Sequence, residues 1–246
     1  MTQPILYEFP HSHFCEVARW ALDYKGISYR SKVLFPGYHL YQMKAIAPQS
    51  SLPVLRDGRE TVQGSQAILD HLDRKYRDKP LAAELDIEQI HQLENEIADS
   101  VGVPLRRLCY AYLLDRPDLV RYFFMHRSSR WQNLLFALVY PMLRKRLREV
   151  YDCTPAGAAR AKEEIARACD RFDRQLEGRD YLMGDSFSRV DMTFASLAVF
   201  IAMPSQYPVA WPIELNNHEL TDWLRSFRER PSYRHVEKTY ANHRQN

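Results

Sequence analysis

The opening stretch of the chain changes its hydrophobic period twice, and that alternation limits what it can fold into. Ile5-Leu6-Tyr7-Glu8-Phe9 reads as a short strand, closed by Pro10, which has no N–H to give a ladder. From Phe14 the apolar residues fall at Phe14, Val17, Ala18, Ala21 and Leu22, one face of a helix that stops at Gly26. Ile27 to Leu34 then alternates as a second strand. Strand, helix and strand in direct succession require a parallel pair with the helix packed against it.

Pro36-Gly37 breaks the second strand, and Leu40 to Ile46 predicts a short irregular helix. Leu52-Pro53-Val54-Leu55 and Glu60-Thr61-Val62 flank Arg56-Asp57-Gly58-Arg59, whose Asp-Gly pair signals a hairpin. Ala67, Ile68, His71, Leu72 and Tyr76 form another helical face, ending before Lys79-Pro80. The order β-α-β-α-β-β-α predicts a mixed four-stranded sheet with helices on its faces. Beyond Pro80 strand signals nearly vanish. Ile87, Ile90, Leu93, Glu94, Ile97 and Val101 share one helical face, and further helices are expected over 134–150, 156–176, 191–203, 218–228 and after Pro231-Ser232. The expected organisation is an α/β domain over 1–78, a linker over 79–85 and an all-α domain over 86–246, holding about six helices. Ser188-Arg189-Val190-Asp191 reads as a capping box that opens one of them, with Asp in place of the usual Glu.

Composition narrows the class of function. A chain of 246 residues that is 46% hydrophobic, with a net charge of +3 from 34 basic and 31 acidic side chains, is neither disordered nor marked by a nucleic-acid footprint. Leu134 to Leu143 is too short to span a bilayer and contains Pro141. No secretory signal follows Met1. Cys15, Cys109, Cys153 and Cys169 lie far apart without a C-x-x-C pair, so no disulfide framework and no metal site are expected. The last three are expected inside helices, as reduced thiols of a cytoplasmic protein.

The chemistry-bearing segment is the turn Pro10-His11-Ser12-His13-Phe14-Cys15, between the first strand and the first helix. The unpaired amides and partial positive charge of a helix start favour an anion there, a thiolate included. Lowering a thiol pKa by about two units takes roughly 2.7 kcal/mol. One hydroxyl hydrogen bond to the charged sulfur (about 1.5–3 kcal/mol) and the dipole (about 0.3–1 kcal/mol) cover that. Three assignments remain open. Ser12 donates to the sulfur of a bound thiol, or Cys15 is itself the nucleophile, or Ser12 is only a helix cap; Tyr7 is a rival donor. His11 and His13 are read as capping or solvating the turn, and Arg144-Lys145-Arg146 with Arg148 as a solvated basic face. The aromatic, proline-rich loop from Met203 to Pro212 either walls an apolar pocket or covers helix ends.

Four segments together resemble the glutathione transferase superfamily: Ser12-x-x-Cys15-x-x-Ala18-Arg19-Trp20-Ala21-Leu22, Ala47-Pro48-x-x-x-Leu52-Pro53-Val54-Leu55, Gly64-Ser65-x-Ala67-Ile68 and Gly184-Asp185-x-x-Ser188-x-x-Asp191. The resemblance implies a thioredoxin-like N-terminal domain, a C-terminal helical domain and a homodimer. It further implies glutathione as co-substrate, its thiolate activated for attack on a small apolar electrophile between the domains. Ser12 would match the activating serine of the serine-type classes. Pro53 would match a cis-proline whose preceding residue, Leu52, pairs its backbone with the cysteinyl part of glutathione. Ser65 would bind the γ-glutamyl carboxylate, and His39 or Lys44 would meet the glycine carboxylate.

One position departs from that pattern. The family usually has an acidic or glutamine side chain just before the helix-opening serine, where this chain has Gly64. Gln63 is one residue off, and Glu94, Glu96 or Asp99 would have to reach the ammonium group from the helical domain. Loss of a charge-assisted hydrogen bond weakens binding by about 1.5–3 kcal/mol. Two alternatives therefore stand beside the transferase: a non-catalytic binding protein of the same fold, and a glutathione-dependent thiol transferase using Cys15.

Overall fold

In the computed structural model, which describes residues 3–82, 85–125, 130–209 and 217–244, the parallel pair forms first. Strand β1 (Ile5–Glu8) lies parallel to β2 (Arg30–Val33), connected by helix α1 (His13–Tyr24). Helix α2 (His39–Lys44) leads to β3 (Val54–Asp57), β4 (Glu60–Gln63) and α3 (Ser65–Lys75). Strand order is β2-β1-β3-β4, with β3 antiparallel to both neighbours. β2 is shorter than the alternating run from Ile27 to Leu34, because β1 offers only Ile5–Glu8 to pair with. All four of its residues are exposed, as suits a charged edge strand.

The register decides where loops meet. Glu8 lies opposite Val33, while Tyr7 faces Val54 and Val54 faces Gln63. The chain therefore leaves β1, β2 and β4, and enters β3, at one end of the sheet. Segments 9–12, 34–39, 52–53 and 63–65 all converge there, although the sequence scatters them.

Among the described residues the second half holds helices only. They are α4 (Ile87–Ile97), a π-turn over Ala98–Gly102, α5 (Val103–Leu113), α6 (Pro117–Met125), α7 (Arg130–Tyr151), α8 (Pro155–Gln175), α9 (Arg189–Leu197), α10 (Val199–Ala202), α11 (His218–Arg225) and α12 (Pro231–His243). More helices appear than periodicity predicted: α6 lies where none was expected, and an apolar face that continues through a break hides the division of α4 from α5 at the π-turn and of α9 from α10 at Ala198. Every residue of α9 is buried, and it packs against α1, α4 and α12. A continuous core runs from Leu6, Leu55 and Ile68 to Ile97, Phe172 and Phe194. All four cysteines are free; Cys109 and Cys169 lie in helices, whereas Cys153 sits in the turn between α7 and α8. Residues 83 and 84 of the expected linker, and Ala210, Trp211 and Pro212 of the aromatic loop, lie outside the described residues.

The capping box at α9 forms as the sequence suggests. Asp191 does more than cap. One carboxylate oxygen accepts from the Ser188 amide (3.0 Å) and hydroxyl (2.9 Å); the other accepts from the Leu182 amide (2.8 Å) and lies 3.1 Å from His235 Nε2 on α12.

Candidate functional site

The turn after β1 is held from below by ions. Arg19 donates to the Pro10 carbonyl (2.8 Å) and to Glu16 (2.9 Å), and pairs with Glu8, whose second oxygen accepts from the Ser31 hydroxyl at 2.5 Å. One guanidinium thereby joins the end of β1, the loop and the first turn of α1. Arg244, just past α12, donates to Glu16 (2.9 Å) and to Asp23 (2.8 Å), tying the far end of the chain to the same helix. These groups are buried, apart from a more exposed Asp23, and removing one partner of such a pair costs about 3–5 kcal/mol. Glu8, Glu16 and Arg19 signalled themselves as charges inside apolar patterns; Arg244 has no local signal at all.

Ser12 stands at the N-cap of α1 with extended backbone, φ −81° and ψ 119°. Its amide donates to the Phe9 carbonyl (3.0 Å), and its hydroxyl oxygen accepts from the Cys15 amide (3.3 Å). Capping occupies a lone pair and leaves the hydroxyl hydrogen to donate, with the buried Cys15 sulfur within its reach. The two roles considered for Ser12 are therefore compatible in one side chain. The residue is half-buried.

Its neighbours point elsewhere. Cys15 is fully buried, and burial pushes its thiol up to about 11 despite the nearby Arg19. Tyr7 is buried in a small cluster with Ile5, Leu34, Met43 and Val54, on the sheet face away from the main core. His13 neither caps nor solvates the turn: it is buried, its Nε2 lies 3.0 Å from the Gly102 carbonyl, and burial with Arg106 nearby drives it down to about 3. A neutral imidazole donating to that carbonyl follows. His11 packs edge-on against Phe123 of α6, ring centroids 4.6 Å apart.

The opposite wall begins at the cis Leu52–Pro53 bond. The Pro53 carbonyl accepts from the Gly64 amide at 3.0 Å. The Gln63 amide donates to the carbonyls of Gln49 and Ser51 (both 2.8 Å) and accepts from the Gln49 amide (3.1 Å), so this side chain pins the preceding loop. Ser65 opens α3, half-buried. Gly64 before it has φ +95° and ψ 145°, a conformation that residues with a Cβ rarely adopt. His39 accepts from the Gly37 amide (3.0 Å) and stands edge-on to Phe9 at 4.9 Å, while Lys44 is exposed at the end of α2.

Helices from the second half cover this end of the sheet. Gly102 allows the approach: a Cβ there would lie 2.9 Å from Phe14 and 3.0 Å from Leu197. Behind Ser65, the fully buried Arg189 donates to Glu94 (2.8 and 2.9 Å), Asp70 (2.6 Å) and the Gln66 carbonyl (3.2 Å). Glu96 is paired with Arg171. Of the three carboxylates expected to reach in, Asp99 alone is exposed and without an ion-pair partner among the described residues. In the aromatic loop, Tyr207 is buried near Phe200 and Tyr240 and covers the core.

This geometry agrees with what the chain is similar to. The family model for the glutathione S-transferase N-terminal domain matches residues 6–80, and that for the glutathione S-transferase C-terminal domain matches residues 132–231. The chain belongs to the glutathione transferase superfamily. The Arabidopsis thaliana protein Glutathione S-transferase TCHQD is 26% identical over 256 residues, 96% of this chain and 90% of that protein. The glutathione S-transferase CsGST63524 of Ceriporiopsis subvermispora, solved in complex with glutathione, superposes with a TM-score of 0.67 at 16% identity, covering 100% of this chain and 99% of that one. Glutathione transferase GSTFuA3 from Phanerochaete chrysosporium gives 0.65 at 20% identity, covering 100% and 99%. The fold is thus a thioredoxin-like domain followed by a helical one. Among the described residues no helix is long and apolar enough to cross a membrane.

Proposed function

We propose that this protein is a glutathione transferase in which Ser12 activates the thiol. The observation that carries the reading is the Ser12 hydroxyl itself: its oxygen is already turned toward the first amides of α1, no carboxylate takes its hydrogen, and a bound thiol would take it over from the buried Cys15 sulfur. A sulfur placed there receives that hydrogen bond and the positive end of the helix, enough to lower its pKa by about two units. The backbone of Leu52, beside cis-Pro53, pairs with the cysteinyl part of glutathione. Ser65 takes the γ-glutamyl carboxylate at the start of α3. His39 and Lys44 lie on the side of the glycine carboxylate. Gln63 already holds its own loop, so Asp99 is the group left to meet the ammonium. The electrophile is apolar and lies between the domains.

Ser12→Ala is the test. Expected is a fall of about a hundredfold in kcat/KM with glutathione affinity little changed, the size seen when one preorganised donor is removed. Ultraviolet titration of the bound thiol should show its pKa returning toward the free value. Unchanged turnover and an unchanged thiol pKa would reject the assignment.

The glycine at position 64 favours a second reading, a binding protein of this fold without turnover. Calorimetry separates the two, since no heat with millimolar glutathione supports the second. The thiol-transferase reading draws no support from a buried Cys15 held at about 11. The same proposal places the protein in the cytoplasm as a homodimer, which fractionation and light scattering at twice the chain mass would check.

A further inference from the structure

Among the described residues, every buried or half-buried arginine except one meets a carboxylate within salt-bridge distance. Arg107 is typical, 3.1 Å from Glu164. Its neighbour Arg106 is the exception. It is half-buried and has no ion pair; its Nε is buried without a hydrogen-bond partner, as are those of Arg107, Arg144 and Arg171, so the missing carboxylate is what sets it apart. Buried charges are ordinarily paired, so an unpaired guanidinium points to a partner that arrives from outside.

Its position suits such a partner. Arg106 lies one helical turn past Gly102, whose backbone packs closely on Phe14 in the first turn of α1. The guanidinium lies 5.4 Å from the ring centroid of Phe14, two residues beyond Ser12, and 4.7 Å from that of Tyr151 on α7. Tyr151 stacks on Tyr110 of α5, with centroids 5.1 Å apart and planes 13° from parallel. The surrounding acids are engaged: Glu164 by Arg107 and Asp152 by Arg160. Flat aromatic faces beside one planar cation recognise a flat ring bearing an anion, since the guanidinium fork matches a carboxylate with two parallel hydrogen bonds.

Resting on the transferase reading above, we infer that Arg106 selects the electrophile, and that the substrate class is an aromatic electrophile carrying a carboxylate. For a chloroarene the glutathione sulfur forms a bond to the ring carbon, the carbon–chlorine bond breaks, chloride leaves with the electron pair, and the thiol proton passes to solvent.

The test compares 4-chloro-3-nitrobenzoate with 4-chloro-3-nitrobenzamide, each rate divided by its rate with glutathione in free solution. The wild type should favour the carboxylate at least tenfold in kcat/KM. Arg106→Gln should bring that ratio close to one, and Arg106→Lys, with charge but no fork, should fall between. Circular dichroism confirms that the variants fold. Calorimetry with 3-nitrobenzoate supplies a readout independent of turnover: it should bind the wild type and bind Arg106→Gln at least tenfold more weakly. If 3-nitrobenzoate binding depends on Arg106 but no thioether forms, the anion site stands and the transferase reading fails. If turnover proceeds with a ratio that Arg106→Gln does not change, the anion site fails and the transferase reading stands. The inference is also overturned if 3-nitrobenzoate fails to bind the wild type at millimolar concentration. Equal weakening of glutathione and the carboxylate by Arg106→Gln overturns it too, since the cation would then serve the tripeptide.

Discussion

Ser12 and Ser188 are the same residue at the same helical position, the N-cap, yet only one has chemistry left to offer. Ser188 is 1% exposed; its oxygen caps α9 and its hydrogen is given to Asp191 at 2.9 Å. Ser12 caps α1 equally well, but no acidic partner takes its hydrogen, and it remains half-buried at the end of the sheet where four loops meet. A capping serine becomes a candidate catalytic residue through what is missing around it. Local sequence logic is shared; tertiary surroundings make the difference.

The sharpest way to break the comparison is at Asp191. Asp191→Ala strips acceptors from the Ser188 and Leu182 amides and from His235 together, and should cost about 3–5 kcal/mol, read as a lowered denaturation midpoint, without shifting the pKa of a bound thiol. Were that thiol pKa to move, the two helix starts would not be independent.

The next effect follows pH and belongs to α1. His13, the first helical residue, falls from 6.5 to about 3 on burial, so between those values the unfolded chain binds the extra proton. Its contribution is fully present above pH 6.5 and is lost as pH falls toward 3, by roughly 3 kcal/mol on reaching pH 4. Urea titrations of the wild type and His13→Gln should show the slope over that window flattened in the variant. Parallel curves would mean that the imidazole is not buried neutral.

Exchanging the caps themselves comes third. Ser12→Gly keeps most of the cap and loses the hydroxyl, so stability should change by a few tenths of a kcal/mol while turnover drops about a hundredfold. Ser188→Gly should show the reverse pattern, a measurable loss of stability with turnover retained. Smallest is a third helix start, that of α3. Gly64→Ala has open space for its Cβ but must hold φ +95°, and about 1–2 kcal/mol of destabilisation by thermal melting is expected.

Much of the architecture was legible from the residues because its causes are short-range. Pro10 and Gly26 bracket α1, the hairpin turns on Gly58-Arg59 just past the Asp57-Gly58 signal, and Ser188-x-x-Asp191 opens α9. Period two or 3.6 is set by neighbours a few residues away. Breaks inside one apolar face, such as the π-turn at Ala98–Gly102, escaped because the same face continues on both sides. At the candidate site, residue types were readable and their commitments were not. Gln63 looked available and holds the 49–51 loop; Glu94 and Glu96 looked available and are paired with arginines. Arg106 attracted no notice, since an arginine on a helix is ordinary until the nearby carboxylates prove taken by other cations.

By itself, then, the order of amino acids determined the strand–helix alternation of the first half, that the first strand pair is parallel, and that the second half is helical, and it singled out the turn between β1 and α1. Only the folded molecule decided which polar groups were already used, because hydrogen-bond partners and burial depend on residues far off in sequence. Arg244 reaches Glu16 across almost the whole chain. Ser188 gives its hydrogen to a carboxylate and Ser12 meets none, a distinction that exists only once desolvation and distance have been set in three dimensions.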